Sequence, residues 1–341
     1  MSLRPLNEVV EYLELRHAQD QEQIADSLVL SMFPLWFLMD FERLDETSML
    51  FTESALPQIR TSYLQSQHVA AAFVENVRFA SLATAQPLAV DAPSVEYPVG
   101  VPVERFELPD TGPDADVVPL DPFPEDDVRI SLLVEGNFNI KSQMPVTDPV
   151  STMKAAQVNS TGAAVRQSLK GARNVTANVV KFDKKVLGYA RYTDGNPCHF
   201  CALLASRGAV YGRDSFADSG AKFRPNDRAV EVPSDYIKVS RVHNNCRCTL
   251  RPVYSKSQEF DSEAKFYRQQ WERISSQNSG KSPDEIAKVW RDQYEPYQRV
   301  EADVGRIESA LRDREMSLLR EGFEPDSPQV RWSQRMQSLL A

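Results

Sequence analysis

Apolar residues in the first part of the chain recur at helical rather than alternating intervals. Val9, Val10, Leu13, Ile24, Leu28 and Leu30 make one stripe, and no glycine occurs before Gly100. A glycine-free stretch rich in Leu, Glu, Gln and Ala favours helix, so a small helical bundle is predicted over residues 1–86. Within it, Leu28 to Met39 is almost wholly apolar. That run is far shorter than the ~20 residues a bilayer span needs, and Pro34 interrupts it. It reads as a buried helix or a subunit contact, and no membrane partner is expected. A further helix is predicted over Ser54–Thr84, broken or bent near Pro57, with Ala70, Ala71 and Ala72 allowing close packing.

The helical pattern stops at residue 87. Nine prolines lie between Pro87 and Pro124, and Arg105 is the only basic residue among many acidic ones. Proline fixes φ and removes a donor, so residues 87–127 read as an extended connector. Such a connector is either a solvated linker or a belt laid across another subunit. Residues 128–254 alternate between patterns. Val128–Val134 is predicted as a strand, a helix from Asp148 or Ser151 to about Lys170, and a second segment after Gly171. A strand is expected at Gly188–Thr193, a helix from about Cys198 to Gly208, an exposed excursion at Asp214–Val230, an arm at Val239–Val242 and a strand at Leu250–Tyr254. Residues 255–341 return to helical spacing. Ser282-Pro283-Asp284-Glu285 is a helix start with a serine cap, proline in the first turn and glutamate three residues on. Trp332 and Leu339-Leu340 suggest a docking tail. The fold class expected is therefore α+β: a mostly helical chain with a small central α+β domain stapled by a Cys/His cluster.

Charge adds one feature. The formal net charge is −9, which argues against a generally basic, DNA-coating surface. Yet residues 151–190 carry Lys154, Arg166, Lys170, Arg173, Lys181, Lys184 and Lys185 against Asp183 alone. This run is the best electropositive candidate in the chain, open to DNA phosphates, to the acidic connector or to water. The polar start of the sequence carries no secretory signal pattern.

Candidate chemistry is concentrated in one place. All four cysteines lie in Cys198-His199-Phe200-Cys201 and His243-Asn244-Asn245-Cys246-Arg247-Cys248. A Cys-x-x-Cys pair is the usual half of a tetrahedral zinc site. Cys198 and Cys201 with Cys246 and Cys248 would close one, with His243 as the substitute for one of the second pair. A Cys-x-Cys pair needs a bend before its sulfurs converge. Four protein ligands leave no open position, so such a zinc would be structural. Two disulfides, in three possible pairings, and buried free thiols are the alternatives. His199 reads as a bystander. His243-Asn244 also invites a metal-dependent nuclease reading, but beyond His199 the only further histidines are His17 and His68, both far away in sequence. No serine-hydrolase elbow, phosphate loop, dinucleotide fingerprint or His-Glu-x-x-His is present, so the expectation is a non-enzyme with no small-molecule substrate.

The run Gly188-Tyr189-Ala190-Arg191-Tyr192-Thr193-Asp194-Gly195-Asn196-Pro197, the cysteine pair that follows, Gly208-Ala209-Val210-Tyr211 and His243-Asn244-Asn245-Cys246-Arg247-Cys248 occur in that order. Together they resemble the Mu F-like minor head proteins of tailed bacteriophages, in the branch found in phages of actinobacteria. The resemblance covers about residues 150–255. It implies a virion component at the portal vertex or capsid interior, contacting portal or major capsid subunits, with packaged double-stranded DNA as a candidate partner. It implies a role in head morphogenesis, genome packaging or delivery, with assembly in the host cytoplasm. A DNA-binding module built on residues 151–190 is the other alternative.

Overall fold

Two long helices open the chain, α1 (Arg4–Leu35) and α2 (Leu44–Leu82). The computed structural model describes residues 4–82, 105–107, 117–195, 197–209, 221–222, 238–239, 244, 246–297 and 304–340. Pro34 falls in the last turn of α1, and a short turn follows in which the Asp40 carboxylate accepts from Glu42 N at 2.9 Å. α2 starts earlier than the sequence suggests and continues through Pro57 without a break. Buried Leu28, Met32 and Trp36 meet Phe51, Ala55 and Ile59 in one core, while Val9, Val10 and Leu13 meet Phe73, Val74 and Val77 in another. The apolar run is thus two-faced. Leu30, Phe33 and Phe37 point outward at 75%, 58% and 76% exposure. No single helix among the described residues is long and apolar enough to cross a membrane.

The described part of the connector lies on its own chain. Strands β1 (Arg105–Glu107) and β2 (Val117–Pro119) pair antiparallel. Beyond them Leu120 is buried, the Asp121 carbonyl accepts from Gln67 Nε2 at 2.8 Å, and Phe123 packs edge-on to Tyr63.

The segment predicted as a strand at Val128–Val134 is instead helix α3 (Glu125–Leu133), continued by one wide turn and a short α4 (Asn139–Ser142). Its short apolar run fits both periods. The helix wins because Glu125, Asp126 and Asp127 stand at its positive N-terminal end, and because Val128 and Leu132, four apart, share the buried face. Arg129 ties it to α2 through Glu53 at 2.9 Å.

The predicted helix break at Gly171 does not occur. α5 (Pro149–Phe182) is one continuous helix, capped by Asp148, whose carboxylate accepts from Ser151 N at 3.1 Å. Gly171 serves close approach instead. A methyl group there would stand 2.5 Å from the Tyr63 carbonyl oxygen of α2. Next to it, Ala172 N donates to Ser66 Oγ at 3.1 Å, and Ser66 Oγ donates to Gln21 Oε1 at 2.7 Å, so α1, α2 and α5 share one buried polar contact.

After α5 come β3 (Gly188–Tyr192), α6 (His199–Ala205), the two-residue strands β4 (Ala221–Lys222) and β5 (Lys238–Val239), and β6 (Thr249–Val253). β3 and β6 pair antiparallel from Gly188↔Val253 to Tyr192↔Thr249. The predicted excursion at 214–230 falls outside the described residues except for Ala221–Lys222. Of the predicted arm at 239–242, only Val239 is described. Helices α7 (Ser262–Gln277), α8 (Pro283–Gln293), α9 (Val304–Arg320) and α10 (Pro328–Leu340) complete the chain. The predicted capping box at Ser282 and Glu285 is formed. Trp332 packs on its own chain, stacked on Phe79 and donating from Nε1 to Asn76 Oδ1 at 3.2 Å. The architecture is a mostly helical chain with a small strand-containing region beside the cysteines. The N-terminal helices and the central α5 share their cores, so the packing crosses the boundary at residues 87–127.

Two outcomes follow from this packing. Gly171→Ala forces the backbones of α2 and α5 apart and should cost about 1–3 kcal/mol in denaturant unfolding, with the largest share in the helical core. His17 is buried and stacks on Phe73 with ring centroids 4.2 Å apart, and neither ring nitrogen is hydrogen-bonded. Burial pushes its pKa from 6.5 down to about 3. In that window the unfolded chain binds a proton that the folded chain does not. The stabilising contribution is complete above the unfolded value and is lost as pH falls toward the folded one. Between pH 7 and 5 the wild type should lose about 2 kcal/mol more than His17→Phe, measured by urea unfolding at both pH values.

Candidate metal centre

The β3–β6 register places the two cysteine pairs together. Tyr192↔Thr249 is the last rung, and the chain leaves β3 toward Cys198 just where it enters β6 from Cys248. Cys198 caps α6, its Sγ accepting from Cys201 N at 3.4 Å. Cys201, Cys246 and Cys248 are buried, at 2%, 1% and 2% exposure, and half-buried Cys198 packs against them. The sulfurs of Cys201, Cys246 and Cys248 all lie within 4.8 Å of one another, and Cys201 Sγ to Cys246 Sγ is 3.7 Å.

All four thiols are free, and no disulfide is formed. A disulfide needs sulfurs about 2.05 Å apart. A tetrahedral zinc with bonds of about 2.3 Å holds its sulfurs roughly 3.8 Å apart, which is the spacing of the Cys201–Cys246 pair. The donor set therefore fits a thiophilic divalent ion. His243 lies outside the described residues, as does Asn245. Asn244 is half-buried beside the cluster, and the other histidines that a nuclease reading would recruit sit on α1 and α2, His17 in the core of that pair.

The bend that a Cys-x-Cys pair requires is held from α5. Arg173 is 5% exposed. Its Nη2 donates to Cys246 O at 2.7 Å and to Cys248 O at 3.1 Å, and its Nε to Cys248 O at 3.2 Å. In extended backbone alternate carbonyls stand about 6.6 Å apart, too far for one nitrogen to reach both at these distances. The loop is curled around the guanidinium, and curling turns both sulfurs the same way. Arg191 of β3 approaches from the other side, Nη1 to Cys201 Sγ 3.9 Å. Electropositive surroundings of this kind favour thiolate, the form that binds metal.

The loop and its neighbours are clamped on every side. Arg247, between the two cysteines, turns outward to Asp26 and Glu22 of α1 at 2.6 and 3.4 Å. Arg251 of β6 forms a buried ion pair with Glu14 of α1 at 2.9 Å. On the other arm, Trp290 Nε1 of α8 donates to the His199 carbonyl at 2.7 Å, and the Tyr294 hydroxyl donates to the Pro197 carbonyl. The Thr193 and Tyr267 hydroxyls both donate to buried Glu263. The His199 backbone is therefore more than a spacer between cysteines.

The basic run of residues 151–190 does not act as one surface. Arg173 faces the cysteines, Lys170 pairs with Asp127 at 3.0 Å, Asp183 is buried against Arg78, and Lys154, Lys181, Lys184 and Lys185 are exposed. The sequence counted Arg173 as part of a patch. Its helical spacing gave the better signal, because Leu169, Arg173, Thr176 and Val180 fall on one stripe and all four are buried.

A family model described as VG15 protein matches residues 142–274, less than half of the chain. That span holds α5, β3, α6, both cysteine pairs, β6 and most of α7. No curated protein and no solved structure matches the chain.

Protein purified anaerobically without added metal should carry about one zinc per chain, with thiols that titrate only after chelation. Cys201→Ser or Cys246→Ser should abolish binding. Cys198→Ser and His243→Ala, compared by chelator competition, identify the fourth ligand as the one whose loss costs at least tenfold in affinity.

Proposed function

We propose that this chain is a minor structural protein of a tailed-phage head, associated with portal or major capsid subunits, in which the cysteine centre is a zinc-bound structural staple. The observation that carries the staple is closure. Among the described residues three of the four sulfurs are buried, and the polar groups beside them are spent on carbonyls, carboxylates and one another. With a fourth protein ligand from Cys198 or His243 the centre would have no open position, and a metal joining the two arms would supply folding energy rather than turnover.

The phage reading is supported by the Mu F-like resemblance of residues 188–211 and 243–253, which lie inside the span matched by the VG15 model. Exposed Leu30, Phe33, Phe37, Met49 and Leu50 at the junction of α1 and α2 fit a chain that works against other subunits. In this reading the protein is carried in the virion and acts in head morphogenesis or genome delivery.

Mass spectrometry of purified particles should detect the chain in a few copies each, resistant to salt washing. Its absence from particles that package DNA normally would end the proposal.

A further inference from the structure

We infer that Arg173 is the counter-charge of the thiolate-bound ion, so that metal loading and the seating of α5 are a single event. This rests on the metal reading of the cysteines and adds a positioning residue from a different element. Three observations carry it. Arg173 is buried at 5% exposure, and among the described residues no carboxylate pairs with it. Its hydrogen bonds go to the carbonyls of two of the clustered cysteines, Cys246 and Cys248. Its direction is fixed from behind, because Gly171 is pressed on Tyr63 O and Ala172 N is bonded to Ser66 Oγ.

A buried guanidinium facing only carbonyl dipoles carries a large desolvation cost. Of the other three buried arginines among the described residues, Arg78 has Asp183 and Arg251 has Glu14, while Arg191 approaches Cys201 Sγ. Arg173 has sulfur instead. A divalent ion with three thiolates has one net negative charge, and with four it has two. Either centre supplies the charge that Arg173 lacks, whereas neutral thiols do not. The same guanidinium curls the Cys246–Cys248 loop into a chelating shape, so charge and geometry select the loaded state together.

The test uses the full chain with Arg173→Gln and Arg173→Lys, each stripped of metal and reloaded with zinc or cobalt. Affinity is read by chelator competition, the ligand set by the cobalt–thiolate absorption, and stability by melting in both states. Arg173→Gln should weaken metal binding at least tenfold and shrink the rise in melting temperature that metal confers. Arg173→Lys, which keeps charge but loses the fork, should recover part of both. If Arg173→Gln does not fold, Arg173→Lys carries the test through the same metal-conferred rise. Equal lowering of stripped and loaded melting temperatures, with affinity unchanged, would overturn the inference and leave Arg173 a packing residue. A wild-type chain that binds neither metal overturns the metal reading itself, a separate result.

Discussion

The close approach of α5 to α2 at Gly171 is the constraint on which the central structure depends. The Gly171 backbone lies against the Tyr63 carbonyl with the Gln67 side chain alongside, so α5 has little freedom to rotate about its axis. Successive residues in an α-helix are about 100° apart. With Gly171 locked on Tyr63 and Ala172 N on Ser66 Oγ, Arg173 must emerge on the opposite side, toward the cysteine loop. Three consecutive residues thus translate helix packing into the shape of a candidate metal centre. α5 is held between the N-terminal helices on one face and the Cys-Arg-Cys turn on the other.

Buried charge then fixes how the remaining parts meet. Arg78 of α2 pairs with Asp183, the residue that ends α5, at 3.0 Å and almost without solvent. Arg251 of β6 pairs with Glu14 of α1 in the same way. Such pairs add little net stability, because both ions lose their hydration, but a wrong register leaves two unpaired charges inside. Their effect is to exclude alternatives. They set where α5 stops and how the β3–β6 pair lies across α1. Tyr254, buried beside Asp183, extends the same network to the residue that follows β6.

Local signals were legible in the sequence where the deciding contact is itself local. Asp148-Pro149 and Ser282-Pro283 open helices through caps a few residues long, and both appear. The Cys198 turn, the β3 and β6 strands and the grouping of the cysteines were legible for the same reason. What failed needed a distant partner. Val128–Val134 carries apolar residues that suit a strand until Val128 and Leu132 are given α2 and α5 to pack on. Gly171 reads as a stop unless the Tyr63 carbonyl is known to lie against it. Arg173 reads as part of a basic face unless the carbonyls of residues more than seventy positions away are in view. Trp332 reads as part of a docking tail, and the surface it meets, Phe79 and Asn76 of α2, is not named by the sequence.

A two-stranded sheet is marginal by itself, and β3–β6 is only five residues long on each side. Joining its arms also closes a long loop, since Cys201 and Cys246 are 45 residues apart. Closing a loop of that length costs roughly 3–4 kcal/mol of chain entropy. Backbone pairing over five residues does not comfortably offset that, whereas a structural zinc contributes on the order of 10 kcal/mol in small metal-dependent domains. A bound zinc would supply that surplus, and the clamps from Arg247, Trp290 and Tyr294 attach next to the cysteines it would join. A staple placed at the open end of a short strand pair stabilises most when its neighbours hand the constraint on. Here they hand it to α1 on one side and to α8 on the other.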